Sequence, residues 1–147
     1  CTHEQFNFTA IKPIYNDLVT YWTDFKNPHE FWLHEFTKHA TCAEDDPALS
    51  NEFKFFTTGL SLRKKYELFS ILKNNSIIPS NQVKYPTDKL EYIISEKLGY
   101  DIVVICDKND ILNEIRICLD KNLTQFNCPD TEKEEECQQE YVVMNIV

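Results

Sequence analysis

The chain has 147 residues, 42% hydrophobic and 13% aromatic, which is enough for a buried core in one domain; its two glycines leave little room for flexible linkers. A net charge of −9 argues against a protein that coats nucleic acid through a broad basic surface, though not against an enzyme that grips one phosphate with a few local cations. No apolar run reaches the roughly 18 residues of a membrane span, so no membrane association is expected. No basic-then-apolar leader precedes Cys1, and the chain reads as a processed product, a trimmed one or a fragment.

Residues Thr9 to Trp22 predict a helix, with Ile11, Ile14, Tyr15, Leu18, Val19 and Trp22 at helical spacing and Pro13 tolerable only near the first turn. Asn27-Pro28 marks a turn and a new helix start, and Glu30 to His39 reads as helical. An acidic loop follows from Cys42 to Pro47. Ser50 is the expected cap of the next helix, whose apolar face is Phe53, Phe56, Leu60, Tyr66, Phe69 and Leu72, with Gly59 a weak point or a break. Tyr85-Pro86-Thr87 opens another helix with Thr87 as its cap, Leu90, Ile93, Ile94 and Leu98 as its buried stripe and Gly99 as its terminator.

The last third changes character. Ile102 to Cys106 is a continuous apolar run that predicts a strand, and Asp107 to Asp110 is a turn. From Ile111 to Leu119 the pattern alternates, as in a half-buried strand. Thr131 to Glu136 is a solvated acidic tip, and Tyr141 to Val147 a final strand. Helices first and strands later predict an α+β fold, an antiparallel sheet packed with several helices.

The six cysteines suit three disulfides, although six allow 15 pairings in principle. Three sequons, at Asn7, Asn74 and Asn122, add to the cysteines in favour of an oxidising, secretory route. No Cys-x-x-Cys or other zinc-ligand spacing occurs.

Four polar residues crowd one short stretch: His34, Glu35, Lys38 and His39. At about 100° per residue they fall at roughly 0°, 100°, 40° and 140°, within one face of a helix. Three chemistries compete for them. A zinc protease site needs His-Glu-x-x-His with histidines four apart, and here they are five apart. A solvated face with a chance Glu–Lys pair is the plain structural alternative. The third is metal-free phosphoryl transfer on RNA, which carries its own nucleophile in the 2′-hydroxyl. There, imidazoles serve as acid and base, and lysine with a second imidazolium stabilises the charged phosphorane.

The stretch Phe31-Trp32-Leu33-His34-Glu35-Phe36-Thr37-Lys38-His39-Ala40-Thr41-Cys42 resembles the second signature block of T2-family ribonucleases, usually Trp-x-His-Glu-Trp-x-Lys-His-Gly-Thr-Cys. Gln82-Val83 to Gly99, Ile115 to Asp120 and Asn127-Cys128 resemble later elements of that family. The resemblance covers most of residues 1–128. It implies His39 as general base, His34 as phosphate binder, and Glu35 and Lys38 as the pair that orients the phosphate and stabilises the transition state. It also implies Phe31 beside the second base subsite, bordered by Asn27 and Pro28, and Trp32 as packing. The implied disulfides are Cys1–Cys42 and Cys118–Cys128, which leaves Cys106–Cys137.

Within the block, Phe36 replaces the usual Trp, and Ala40 replaces a Gly, which is harmless only at negative φ. The family's first block, Ile-His-Gly-Leu-Trp-Pro, has no counterpart, and His3 and His29 read as surface histidines. Residues 1–147 are therefore expected to form a single ribonuclease T2-like domain lacking its N-terminal portion. The implied activity is secreted or lysosomal/vacuolar cleavage of single-stranded RNA through a 2′,3′-cyclic phosphate to a 3′-phosphate. No cofactor, metal or DNA is implied, and an N-terminal segment of the same protein would carry the second catalytic histidine. The alternative is a nuclease-dead secreted glycoprotein that binds RNA or a receptor.

Overall fold

A computed structural model describes all residues except Thr2, His3, Phe25, Ile146 and Val147, and excludes the side chain of Glu135. His3 and the end of the expected final strand thus lie outside the described residues. The chain divides into two compact units, Cys1–Glu67 and Leu68–Val147.

The first unit is helical: α1 (Phe8–Ile11), α2 (Tyr15–Tyr21), α3 (Pro28–Lys38) and α4 (Glu52–Lys65). The single helix expected over Thr9–Trp22 is instead two, separated by a 3-10 turn at Lys12–Ile14. Pro13, which lacks an N–H, sits in that turn. Asn51, not Ser50, caps α4: its side-chain oxygen accepts from the Lys54 N–H at 2.9 Å. Helix α4 also runs unbroken through Gly59. A Cβ at Gly59 would lie 2.3 Å from the Trp22 ring, so glycine is held there by close approach. The core is Ile11, Leu18, Trp32, Phe36, Ala40, Phe56 and Leu60, with Trp22, Phe31 and Phe55 packed against it. The single helix expected to carry Phe53 to Leu72 is two: α4 ends at Lys65 with Tyr66 as its C-cap, Phe69 and Leu72 lie on a separate helix, Leu68–Asn74, and Phe53 stays 41% exposed.

The second unit holds α5 (Leu68–Asn74), β1 (Lys84–Pro86), α6 (Thr87–Leu98), β2 (Val103–Cys106), β3 (Leu112–Arg116) and β4 (Tyr141–Val143). Strand β2 buries both faces. Val104 joins a core of Leu72, Ile77, Tyr85, Leu90, Ile94 and Val142, while Val103 and Ile105 pack with Cys128 on the other side. That is why residues 102–106 read as a continuous apolar run. Two separate antiparallel ladders form, β2–β3 with an irregularity at Ile105/Cys106, and β1–β4; an isolated bridge joins Ile111 to Val143. The expected single sheet is therefore split, within an α+β fold.

Thr87 is the first helical residue of α6 rather than its cap. Its hydroxyl donates to the Gln139 carbonyl at 2.6 Å, a partner that only the β1–β4 pairing brings near. Gly99 ends α6 in the left-handed region at φ 80°, as its position predicts. Disulfides join Cys1 to Cys42, Cys106 to Cys137 and Cys118 to Cys128, with no free cysteine, the same pairs that the resemblance implies. In chain-entropy terms, closing the long Cys1–Cys42 loop is worth about 4 kcal/mol. Among the described residues no helix is long and apolar enough to cross a membrane.

Candidate active site

Helix α3 supplies the site. Asn27 caps its start, accepting from the Glu30 N–H at 3.3 Å, and Pro28 occupies the first turn, where its missing N–H costs nothing. Trp32 and Phe36, one turn apart, are fully buried and fix which face of the helix looks inward. The Trp32 indole N–H donates to the Trp22 carbonyl at 2.6 Å, so Trp32 is packing, and its ring is unavailable to a ligand. The outward face then carries His34, Glu35 and Lys38, with His34 and Lys38 exposed and Glu35 half-buried.

His39 is the C-cap of α3, at φ −118°, ψ −50°, and its N–H still donates to the Glu35 carbonyl at 3.0 Å. The chain then tightens into a 3-10 turn, Ala40–Cys42. Three contacts pin that turn: the buried Thr41 hydroxyl on the Thr37 carbonyl at 2.9 Å, the Cys42 N–H on the His39 carbonyl at 3.2 Å, and the Cys1–Cys42 disulfide. Thr41 and Cys42 thereby hold His39, a positioning role that composition and spacing alone do not reveal. Positive φ among the described non-glycine residues is confined to Ser76, Asp110 and Leu123, so Ala40 stands without strain where the family usually has glycine.

The result is a compact cluster. The side-chain ligand atoms of His34, Glu35 and His39 all lie within 4.8 Å of one another. The two imidazole planes cross at 75° with centroids 6.4 Å apart. Two proton-transfer groups and a carboxylate are thus within reach of one small reacting group, with Lys38 next to them in the chain. The same spacing could be bridged by a divalent ion, since each residue offers one ligand atom.

The other residues singled out from the sequence have varied surroundings. Phe31 is half-buried against the helical core. Asn27 is exposed, but its side-chain oxygen is engaged in the cap. His29 is exposed yet not a free-standing surface histidine: its ring lies 4.3 Å from that of Phe8 and 5.7 Å from that of Trp32. Asn7, Asn74 and Asn122 are all exposed.

The Ribonuclease T2 family profile matches residues 1–137. The chain belongs to the ribonuclease T2 family. It is 36% identical to Ribonuclease Oy of Magallana gigas over 139 residues, covering 88% of this chain and 65% of that protein. It is 32% identical to Ribonuclease T2 of Danio rerio over 135 residues, covering 86% of this chain and 56% of that protein. The chain therefore spans between about half and two thirds of the length of these relatives. Among solved T2 folds, human RNase T2 is similar at a TM-score of 0.88 and 26% identity, over 99% of this chain and 77% of that one. An RNase-related protein from Calystegia sepium is similar at 0.87 and 28% identity, over 99% and 73%.

Proposed function

We propose that this chain is the larger part of an endoribonuclease that cleaves single-stranded RNA without a metal or cofactor. The observation that carries the reading is the 4.8 Å cluster of His34, Glu35 and His39 on the outward end of α3. His39 takes the proton from the 2′-hydroxyl, and the freed oxygen attacks the adjacent phosphorus. The bond to the 5′-oxygen breaks, leaving a 2′,3′-cyclic phosphate, and slower hydrolysis gives a 3′-phosphate. His34, as a cation, holds the phosphate oxygens. Glu35 and Lys38 orient the phosphate and stabilise the charge that gathers on the phosphorane.

Acid–base chemistry needs a second histidine to protonate the departing 5′-oxygen. In this reading an N-terminal segment of the same protein supplies it, in keeping with the shorter span relative to the curated relatives. Phe31 borders the second base subsite, where its ring offers a stacking surface, and Asn27 lies at the rim of that subsite. Three disulfides and three exposed sequons suit a secreted or lysosomal route, with carbohydrate at Asn7, Asn74 and Asn122. DNA is not a substrate, because it lacks the nucleophile. The test is incubation of full-length protein with a single-stranded RNA and the same sequence as DNA, each with and without EDTA. Cleavage of RNA alone is expected. Retention of intact RNA would mark a nuclease-dead binder, and loss of cleavage with EDTA would restore a metal mechanism.

A further inference from the structure

The acidic tip at Thr131 to Glu136 is not wholly solvated: Lys133 and Glu136 are half-buried. It is a short flap with fixed ends, contained within the second unit. Cys128 and Cys137 flank it, and disulfides tie them to Cys118 and Cys106. The Cys137 N–H also donates to the Val104 carbonyl at 2.8 Å, which anchors that end to β2. Between the anchors the flap carries turn bonds, from the Glu132 N–H to the Pro129 carbonyl, from Lys133 to Asp130 and from Glu136 to Lys133, each at 3.0 Å. Ion pairs of Arg116 with Glu132 at 3.5 Å and of Lys133 with Asp130 at 4.0 Å add to them. Helix α6 meets the flap with a carboxyl, that of Glu91. One Glu91 oxygen is out of water without a hydrogen-bond partner, and the carboxyl is hydrogen-bonded to that of Glu136. Two carboxyls share a hydrogen bond only when one of them carries a proton.

We propose that Glu91 and Glu136 form a proton-dependent clip, which fastens the flap to α6 in acid and lets it lift as the medium turns neutral. With the proton in place, one carboxyl donates to the other. Without it, two negative charges meet beside a buried oxygen, and lifting the flap into water relieves both the repulsion and the lost hydration. Burial, and then the charges of Glu136 and Asp88, push the Glu91 carboxyl up to about 7, while Lys133 on the flap opposes them. In the lifted state Glu91 returns towards its ordinary value of 4.5. The closed flap therefore binds the proton more tightly. Opening is least favourable below the ordinary carboxylate value, rises with pH from there to about 7, and is level above it. The two disulfides confine the release to the flap and leave α6 and β2 in place. The clip involves no residue of the histidine cluster.

The experiment is hydrogen–deuterium exchange of full-length protein at about pH 4.5 and about pH 7.5, each amide's rate being divided by its intrinsic rate at that pH so that protection alone is compared. Protection at Glu132, Lys133 and Glu136 should fall roughly tenfold from the lower pH to the higher, less than the full linkage limit because Glu91 is only half-buried. Asp110, whose N–H donates to the Asp107 carbonyl at 3.1 Å in the turn between β2 and β3, should keep its protection. Glu91→Gln, whose amide donates to Glu136 without a titrating proton, should hold the flap at both values. Glu91→Ala should leave it open at both. Equal wild-type protection at the two values, a fall of wild-type size in Glu91→Gln, or full acid protection in Glu91→Ala would each overturn the clip. Where Glu91→Ala does not fold, Glu136→Gln places the amide on the other partner and should likewise hold the flap at both values; a fall of wild-type size there would overturn the clip as well.

Discussion

The imidazoles of His34 and His39 face one another edge to plane, 6.4 Å between centroids, although they sit five positions apart on what would be opposing flanks of an ideal helix stripe. The cap geometry at His39 and the pinned turn behind it set that relation. If His39 is the base, His39→Ala in the full-length protein should lower kcat/KM by roughly 10²–10⁴-fold while the circular dichroism stays unchanged. A mutant keeping about half the activity would remove His39 from the mechanism.

Lys38 is exposed and adjacent, and in the proposed mechanism its charge acts mainly as negative charge develops on phosphorus. Lys38→Ala is predicted to lower kcat more than it raises KM. Steady-state kinetics on a dinucleotide would decide; a pure KM effect would make Lys38 a uniform phosphate anchor.

The same compactness predicts metal inhibition without metal dependence. Three ligand atoms within 4.8 Å can close on Zn2+ with small side-chain movements, and imidazole binds only when neutral. EDTA should leave the rate unchanged, while added Zn2+ should inhibit, and Glu35→Gln should weaken that inhibition. Equal Zn2+ inhibition of the wild type and the variant would locate the metal elsewhere.

Much of this was readable in the sequence because it is local. Helix α3, the β2 run and the Gly99 terminator each follow from neighbouring residues. What was not readable depends on distant partners. Thr87 looked like a cap because its hydroxyl acceptor, Gln139, arrives only through the β1–β4 ladder. Gly59 looked like a break because Trp22, which demands it, comes from another helix. Ser50 and Asn51 are adjacent and both competent caps, and backbone geometry selected the second. Within the site, the spacing of His34, Glu35 and Lys38 was legible, whereas the packing of His29 on Phe8 was not.

Glu91 on α6 gives a stability prediction of its own. Burial, and then the charges of Glu136 and Asp88, push its carboxyl up to about 7, with nearby Lys133 acting the other way. One of its oxygens is out of water without a hydrogen-bond partner. The folded chain thus holds this proton more tightly than the unfolded one. Its contribution is complete below the ordinary carboxylate range and is lost as pH rises through about 7. Glu91→Gln should raise Tm at pH 8 by a few degrees and change it little at pH 4, as about 1 kcal/mol for a half-exposed, solvent-screened group implies. Thermal melts at the two pH values check this; equal shifts would assign the effect to packing instead.

In the proposed reaction RNA supplies its own nucleophile to the His39 cluster. Mass spectrometry of the termini released from an RNA oligomer by full-length protein in EDTA, alongside an oligomer with one 2′-deoxy nucleotide, tests this. Early 2′,3′-cyclic phosphate ends, later 3′-phosphate ends, and no cut on the 3′ side of the deoxy position are expected. Products bearing 5′-phosphates, or cleavage at the deoxy position, would rule out a 2′-hydroxyl nucleophile.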